Sequence, residues 1–322
     1  MIELEVKTQL VSYLTEKQFI SVDQSAYLNK HSTTTCLHRV VDEWYHTLDE
    51  GDIIGVCLLD ISKCFDSINH ALLLAKLQKY GITSVELEWF KSYVSNISQI
   101  VSCNGQYSSK CNLNTGVPQG SILGPILFLL SINDLSQYTV SATCNLFADD
   151  ALFYVNGKTT QDVQDSLQLC IDSVASWYEL NGLTLNAKKS NTILIHGERN
   201  NLESKTLNIK LYDSTLAQVN NVKYLGLYID SNLNWGTHVN HICANLSRKI
   251  GVLRRASRFL PTKSLIRIYN TYILPAFDYG DTIWSVCNAF LRYKIQYQQN
   301  MAARIITGNF DFINTRGETL VN

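Results

Sequence analysis

Two apolar runs that each break at aspartate constrain this chain more than any other feature. Ile53-Ile54-Gly55-Val56-Cys57-Leu58-Leu59 is continuously apolar and stops at Asp60, and Cys144 to Val155 is apolar on both sides of Asp149-Asp150. A short continuous apolar run is the pattern of a buried strand, so the second segment reads as strand, tight acidic turn, strand. A carboxylate in such surroundings is costly to desolvate unless it is paired or metal-bound. If the strands are neighbours, the three acids converge at one edge of a sheet. Converging carboxylates hold hard cations, and Mg²⁺ characteristically takes one or two carboxylates together with substrate phosphates. Two such ions stabilise the attacking and leaving oxygens of an in-line displacement at phosphorus. Taken singly, the same acids also read as a strand-end cap and a polar hairpin turn.

The composition supports a large core: 322 residues, 46% apolar and only 17% charged. That excludes a disordered chain. The longest apolar run, Ile122 to Leu130, is interrupted by Gly124-Pro125 and is too short to span a bilayer. No order of basic, apolar and small residues at the N-terminus marks a secretory signal. The expectation is an intracellular protein of nucleus or cytoplasm, not secreted and without a membrane partner. None of the nine cysteines forms a C-x-x-C pair, so zinc-knuckle and thioredoxin motifs are absent and reduced thiols are expected. Net charge is −1, but the average hides an asymmetry. Residues 1–240 hold 16 Lys and Arg against 24 Asp and Glu, whereas residues 241–322 hold 11 against 4. A nucleic-acid-facing module at the C-terminal end fits this, and so do two solvated surfaces of opposite sign.

Around these strands the pattern is mixed. Helical spacing runs through Leu4, Leu10, Val11 and Leu14, and again through Leu37, Val40, Val41, Trp44 and Leu48 to a stop at Gly51. Residues 70–100 read as helical with a break at Tyr80-Gly81, and Gln99 to Tyr107 alternates around Asn104-Gly105, a hairpin signal. Thr115 to Gly120 is a loop, Ile122 to Leu135 a buried helix and residues 161–181 an amphipathic helix. Strands are expected over Thr192–His196 and Val222–Ile229. Beyond Asp230, Ile242, Leu246, Ile250 and Leu253 share one helical face, while Arg248, Lys249, Arg254, Arg255 and Arg258 lie largely elsewhere. The class is α+β, a mainly antiparallel sheet backed by helices and followed by a basic helical appendage, with a boundary near residue 236.

Three motifs occur in order: Leu59-Asp60-Ile61-Ser62-Lys63-Cys64-Phe65-Asp66, then Gly116-Val117-Pro118-Gln119-Gly120-Ser121, then Phe147-Ala148-Asp149-Asp150. The set resembles the reverse transcriptase of non-long-terminal-repeat retrotransposons, closest to jockey-like elements. The likeness extends over most of the chain. Gln24 to Thr33 is similar to that family's fingers segment, Gly182 to Ser190 to its lysine-bearing palm motif, and Val222 to Asp230, with Leu233, Trp235 and His238, to its primer-grip region. Leu274-Pro275, Tyr279-Gly280, Trp284 and Arg304 to Gly308 resemble its thumb and the segment after it.

The resemblance implies RNA-directed DNA polymerase activity by two-metal nucleotidyl transfer on a right-hand fold. Fingers and palm would occupy 1–235, with the palm core at about 52–66 and 116–230, and a basic helical thumb and the start of a C-terminal extension would occupy 236–322. It makes Asp60, Asp149 and Asp150 the catalytic acids. With the Ile61 carbonyl they would hold two Mg²⁺ ions, Mn²⁺ being a substitute. Lys63, Cys64, Phe65, Gln119, Gly120 and Lys189 would meet the deoxynucleoside triphosphate, Phe65 standing below the sugar to exclude a 2′-hydroxyl and Lys189 aiding the leaving pyrophosphate. Phe147, Ala148, Leu225, Gly226, Arg248, Lys249, Arg254 and Arg255 would contact the DNA primer and RNA template. The basic thumb would track phosphates without reading sequence.

Two departures stand out. Relatives carry an N-Y-R-P-I-S-type segment before the first helix, whereas this sequence begins at Met1-Ile2-Glu3 inside that helix, so the resemblance implies an N-terminally truncated polymerase. Relatives also tend to have arginine after the aromatic of the fingers motif, where Leu28 follows Tyr27 here and Lys30 and His31 are the nearest cations. Both fall where the family grips the triphosphate, which keeps open a catalytically silent nucleic-acid-binding remnant. A different metal-dependent phosphotransferase or nuclease using the same acids is the remaining alternative.

Overall fold

The chain divides into two compact units, Met1–Val219 and Asn220–Asn322. The computed structural model describes residues 2–95, 97–197, 200 and 204–310, so part of the expected C-terminal extension lies outside the described residues.

The first unit opens with α1 (Ile2–Glu16) and α2 (Thr33–Asp49). Ser32 caps α2 by accepting from the Thr35 N–H at 3.1 Å, and the Thr35 hydroxyl oxygen accepts the Ser32 N–H in return at 2.9 Å. Next come β1 (Ile53–Leu59), α3 (His70–Lys79) and α4 (Ser84–Val94). Where residues 97–100 were expected to continue the helix, β2 (Ile97–Gln99) pairs instead with β5 (Cys111–Leu113). Between them β3 (Ser102–Cys103) and β4 (Gln106–Tyr107) form the expected hairpin, with φ positive at both Asn104 and Gly105. α5 (Gly124–Ile132) is shorter than the Ile122–Leu135 helix expected. Pro125 sits in the first turn of the helix, where its missing N–H costs nothing, and after Ile132 the chain tightens into a 3₁₀ turn at Leu135–Tyr138. β6 (Thr143–Phe147), β7 (Asp150–Gly157), α6 (Thr160–Leu180) and β8 (Asn191–Ile195) match their sequence patterns to within a residue or two. A small ladder of β9 (Lys210–Leu211) with β10 (Ser214–Thr215) and the edge strand β11 (Ala217–Gln218) complete the unit.

The main sheet has the order β11-β8-β1-β7-β6, antiparallel except at the β11–β8 edge. β1 is central. One face carries Ile53, Cys57, Leu59, Ala151, Phe153 and Val155 into the main core with Val163, Leu167, Cys170 and Val174 of α6. The alternate residues turn to α2, where the Trp44 and Tyr154 rings meet edge-on at 5.7 Å and the Tyr154 hydroxyl donates to Glu43. With both faces covered, β1 has no polar position until its end, which is why it reads as an unbroken apolar run.

In the second unit the expected strand Val222–Ile229 is two strands, β12 (Asn221–Tyr224) and β13 (Leu227–Asp230), paired antiparallel with Tyr224 opposite Leu227. The two residues left over, Leu225 and Gly226, both have positive φ (42° and 86°), as a tight primed turn requires. A Gly226 Cβ would lie 2.9 Å from the Tyr279 ring, whose hydroxyl donates to the Leu225 carbonyl at 2.6 Å. Because this hairpin packs on α7 (Gly236–Ala256), the division between units falls after Val219 rather than near residue 236. Asp230 accepts the N–H groups of Asn232, Asn234 and Trp235 (2.8–3.2 Å) and so shapes the turn into α7. Then come α8 (Thr262–Ile268), a wide turn at Tyr269–Ile273, α9 (Pro275–Asp278), α10 (Asp281–Trp284) and α11 (Ala289–Thr307). None of the helices among the described residues is long and apolar enough to cross a membrane.

His238, buried on α7, accepts the Tyr228 N–H at Nδ1 (3.2 Å) and lies against Trp235 and Trp284. Burial, and next the neighbouring His241, push its imidazole down from the usual 6.5 to about 4. The folded state therefore holds it neutral at pH values where the unfolded chain binds a proton. Its contribution is full above pH 6.5 and is lost as pH falls toward 4, on the order of 3 kcal/mol. Urea unfolding at pH 7 and pH 4.5 should show this loss in the wild type, and His238→Gln should show a smaller pH difference. An equal difference in the two proteins would contradict the assignment.

Candidate active site

Asp60 follows the last residue of β1. The β1–β7 ladder pairs Ile53 with Gly157 and ends with Leu59 opposite Ala151. One further step in that register sets Asp60 level with Asp150, the first residue of β7, and directly opposed residues share a face of the sheet. Asp149 occupies the two-residue turn between β6 and β7 with Ala148, after Phe147, which pairs with Asp150. The three acids that the sequence separates by ninety residues thus stand at one end of one sheet. Crowding by the protein, then the Asp149 charge, then that of Asp60 hold the Asp150 carboxyl above its usual range.

Each acid is also held from outside the sheet. The Asp60 N–H donates to Ser190 Oγ (3.1 Å), and its carbonyl accepts the Asn186 N–H (2.8 Å). Ser62 N–H donates to Thr184 O (2.8 Å), so the lysine-bearing segment lies along residues 60–62. That pairing is centred on Ile61 and Leu185 and passes through the flanking residues, leaving the Ile61 carbonyl unused by it. Lys189 Nζ sits 3.9 Å from Asp60 Oδ2, both well exposed, which makes a weak pair. Past Lys63, whose φ is +50°, a 3₁₀ turn over Cys64–Asp66 brings the Cys64 thiol to Asp149, to which it donates at 3.5 Å. Burial, then Asp149, push that thiol up to about 12, so it stays protonated and serves as a donor.

The Gly116–Gly120 loop docks on the same turn. Gly116 N–H donates to Ile68 O (2.8 Å), Val117 N–H to Phe65 O (3.0 Å), and Gln119 Nε2 to Asp66 Oδ1 (2.8 Å). Gly116 has φ +86°, and a Cβ there would lie 2.8 Å from the Asp66 backbone, so only glycine fits. Phe65 is half-buried against Phe128 of α5, ring centroids 4.7 Å apart, while Lys63, Gln119 and Gly120 are exposed. Leu225, Gly226, Arg248, Lys249, Arg254 and Arg255 belong to the second unit. There the four cations lie on α7, the three arginines exposed and Lys249 donating to Tyr272 O at 2.7 Å.

One residue, marked in the sequence only as the start of the fingers-like segment, has a supporting role that the sequence does not show. Gln24 is fully buried, and its Oε1 accepts the N–H groups of Ala26 (2.9 Å) and Ala148 (3.3 Å). Residues 23–25 also bind both backbone groups of Leu146. Gln24 therefore fixes the turn that carries Asp149, where Ala148 is held at φ +55°. A lone Gln in a polar segment has no periodicity to betray it. Next to it, Tyr27 has its phenol raised by burial, then by the charge of Asp149.

Hard oxygen donors of like charge, crowded enough to raise one carboxyl, suit a divalent cation in their chemistry. They are not drawn together into a cage: among the described residues, no group of three or more His, Cys, Asp and Glu side chains is arranged to hold a metal ion.

The sheet, the acidic turn and the ordered loops around it have the layout of a nucleic-acid polymerase palm. The chain belongs to the reverse transcriptase (RNA-dependent DNA polymerase) family, whose model matches residues 3–229. With that membership the α+β class expected from the sequence becomes the right-hand polymerase fold. The chain is 28% identical over 312 residues to the probable RNA-directed DNA polymerase from transposon X-element of Drosophila melanogaster, covering 94% of this chain and 34% of that protein. It is 26% identical over 304 residues to the RNA-directed DNA polymerase from mobile element jockey of Drosophila funebris (91% and 32%). To the Pol polyprotein of type-1 retrotransposable element R2 of Popillia japonica it is 27% identical over 248 residues (72% and 39%). It thus spans about a third of the length of these curated relatives. A solved structure of apo telomerase from Candida tropicalis aligns at a TM-score of 0.49 and 12% identity, over 99% of this chain and 59% of that one.

Gln24→Met keeps the volume but leaves the Ala26 and Ala148 N–H groups without their acceptor. A loss of about 2 kcal/mol in unfolding free energy is expected, against about 1 kcal/mol for Ser190→Ala, read by chemical denaturation. A neutral Gln24→Met would show that the turn stands without its prop.

Proposed function

We propose that this chain is the polymerase module of a non-long-terminal-repeat retroelement and performs RNA-directed DNA synthesis. The reading is carried by one observation, the register that sets Asp60 level with Asp150 beside the Asp149 turn. Family membership over residues 3–229 supports it. In this reading residues 1–235 are fingers and palm, and residues 236–322 the thumb and beyond, which leaves the β12–β13 hairpin with the palm by function although it folds with the helices.

Asp60 and Asp149, with Asp150 beside them and the Ile61 carbonyl, would hold two Mg²⁺ ions, or Mn²⁺ in their place. Bound there, the ions supply charge stabilisation to the attacking and leaving oxygens. The protein's own part is positioning. Ser190 and Asn186 hold the Asp60 backbone, the Cys64 thiol orients Asp149, and Gln24 sets the turn. Phe65, braced by Phe128, would stand under the sugar of the incoming deoxynucleotide with Lys63 and Cys64 next to it. Gln119, aimed by Asp66, and Gly120 would lie along the nucleotide. Lys189 would receive charge from the departing pyrophosphate, in keeping with electrostatic clamping in phosphoryl transfer. Phe147, Ala148, Leu225 and Gly226 would contact the primer, and Arg248, Lys249, Arg254 and Arg255 the template and primer phosphates.

A second reading, a catalytically silent nucleic-acid-binding remnant, draws on the absence of a gathered metal cluster among the described residues. Primer extension separates the two. On a primed RNA template with Mg²⁺ and deoxynucleotides, the wild type should extend the primer and Asp149→Asn should lower the rate by a factor of at least about 10³. Salt-sensitive RNA binding with no extension, unchanged by Asp60→Asn, would establish the silent remnant. In the active protein, Phe65→Val should erode the preference for deoxynucleotides over ribonucleotides by roughly tenfold or more, about 1.4 kcal/mol of discrimination. An unchanged ratio would remove Phe65 from the sugar site.

A further inference from the structure

A groove in the second unit has no part in the acid cluster. On α11, Phe290, Tyr293 and Tyr297 succeed one another at steps of three and four residues, so they share one helix face. They remain 65%, 69% and 46% exposed. An amphipathic helix normally turns its apolar stripe inward, and an exposed one marks an interaction surface. With Asn240, Lys294 and Gln298 they line a cavity of about 470 Å³. Lys294 Nζ lies 4.7 Å from the Phe290 ring centroid and donates to Asn240 Oδ1 at 3.0 Å, which holds the cation over the aromatic floor.

The charge around the groove selects the occupant. No carboxylate lines it, and residues 220–310 hold 11 Lys and Arg against 3 Asp and Glu. On α7, Asn240 lies on the same helical face as Ser247 and Arg254, and Arg258 follows two residues past the helix end; both arginines are exposed. Cationic side chains are therefore met again roughly 20 Å along that helix from Asn240, at Arg254 and just beyond it at Arg258. The lining holds no Leu, Ile or Val side chain, the material on which a partner's apolar helix would seat.

We propose that this groove is a stacking platform for single-stranded nucleic acid, RNA or DNA alike. Unpaired bases stack on Phe290, Tyr293 and Tyr297, and every base offers a π-face, so the platform is indifferent to sequence. Lys294 meets a phosphate, and Arg254 and Arg258 carry the strand onward. The site goes beyond the polymerase reading and needs no catalysis at the acids.

Fluorescence anisotropy with labelled strands of about 12 nucleotides, oligo-U and oligo-dT, against a duplex of equal length tests this. The double variant Tyr293→Leu/Tyr297→Leu, its fold checked by circular dichroism, should lose roughly 10- to 100-fold in affinity for both single strands. Its salt dependence should match the wild type, because no phosphate contact is removed. Tyr293→Phe/Tyr297→Phe keeps the rings and should bind as the wild type does, while Lys294→Gln should lower the single-strand salt slope by about 0.7. Asp149→Asn should keep this binding even where it abolishes extension, which separates failure here from failure of the polymerase reading. Wild-type affinity in the leucine variant, equal loss on duplex and single strand, or equal loss in the phenylalanine variant would each overturn the proposal.

Discussion

The register between β1 and β7 is the constraint on which the rest of the first unit depends. The side-chain period of a strand is two, so a slip of one residue would turn Asp60 to the opposite face from Asp150 and expose half the core. Such a slip is blocked on both sides of the sheet, by Val163, Leu167, Cys170 and Val174 of α6 on one face and Trp44 of α2 on the other. Like charges are thereby kept together at the sheet's end even though burial, then the charges of Asp149 and Asp60, raise the cost of ionising Asp150. The apolar core, which contributes no chemistry, holds an electrostatically unfavourable arrangement in place.

Around that arrangement the backbone is bent into conformations that side chains ordinarily avoid. Lys63 and Ala148 both have left-handed φ, and Gly116 occupies a place where a Cβ would strike the Asp66 backbone. Each is held by bonds from a distant segment: residues 182–190 along Asp60 to Ser62, the 116–119 loop on Phe65 and Asp66, and Gln24 beneath the acidic turn. Strain of this kind gathers where function needs a fixed geometry. The second unit repeats the device on a smaller scale. There Leu225 and Gly226 both take positive φ, pinned by the Tyr279 hydroxyl.

Legibility in the sequence tracked the strength of the periodic signal. β1, α6, β8 and the β6–β7 hairpin stood out because one or both faces are buried along their whole length, which writes a period into the residues. The Val222–Ile229 segment did not. Its apolar residues run on through a two-residue turn, and nothing local distinguishes Leu225 inside a strand from Leu225 at a bend. The same limit moved the unit boundary, since the hairpin's allegiance to α7 is a matter of packing. Among the site residues, the acids were readable as charges stranded in apolar sequence, whereas Gln24 and the Cys64–Asp149 contact rest on segments brought together from afar.

The residues alone determined which chemistry is available: three aspartates at strand ends, an ordered set of loops between them, a buried sheet to mount them on, and a basic C-terminal stretch. Hydrophobic period and residue order are local properties and survive without any fold. Only the tertiary structure decided that Asp60 stands level with Asp150 while Asp149 turns to Cys64, and that three aromatic rings on α11 stay in water. Strand register and surface exposure depend on which distant segments exclude water from one another, a condition no stretch of chain meets by itself.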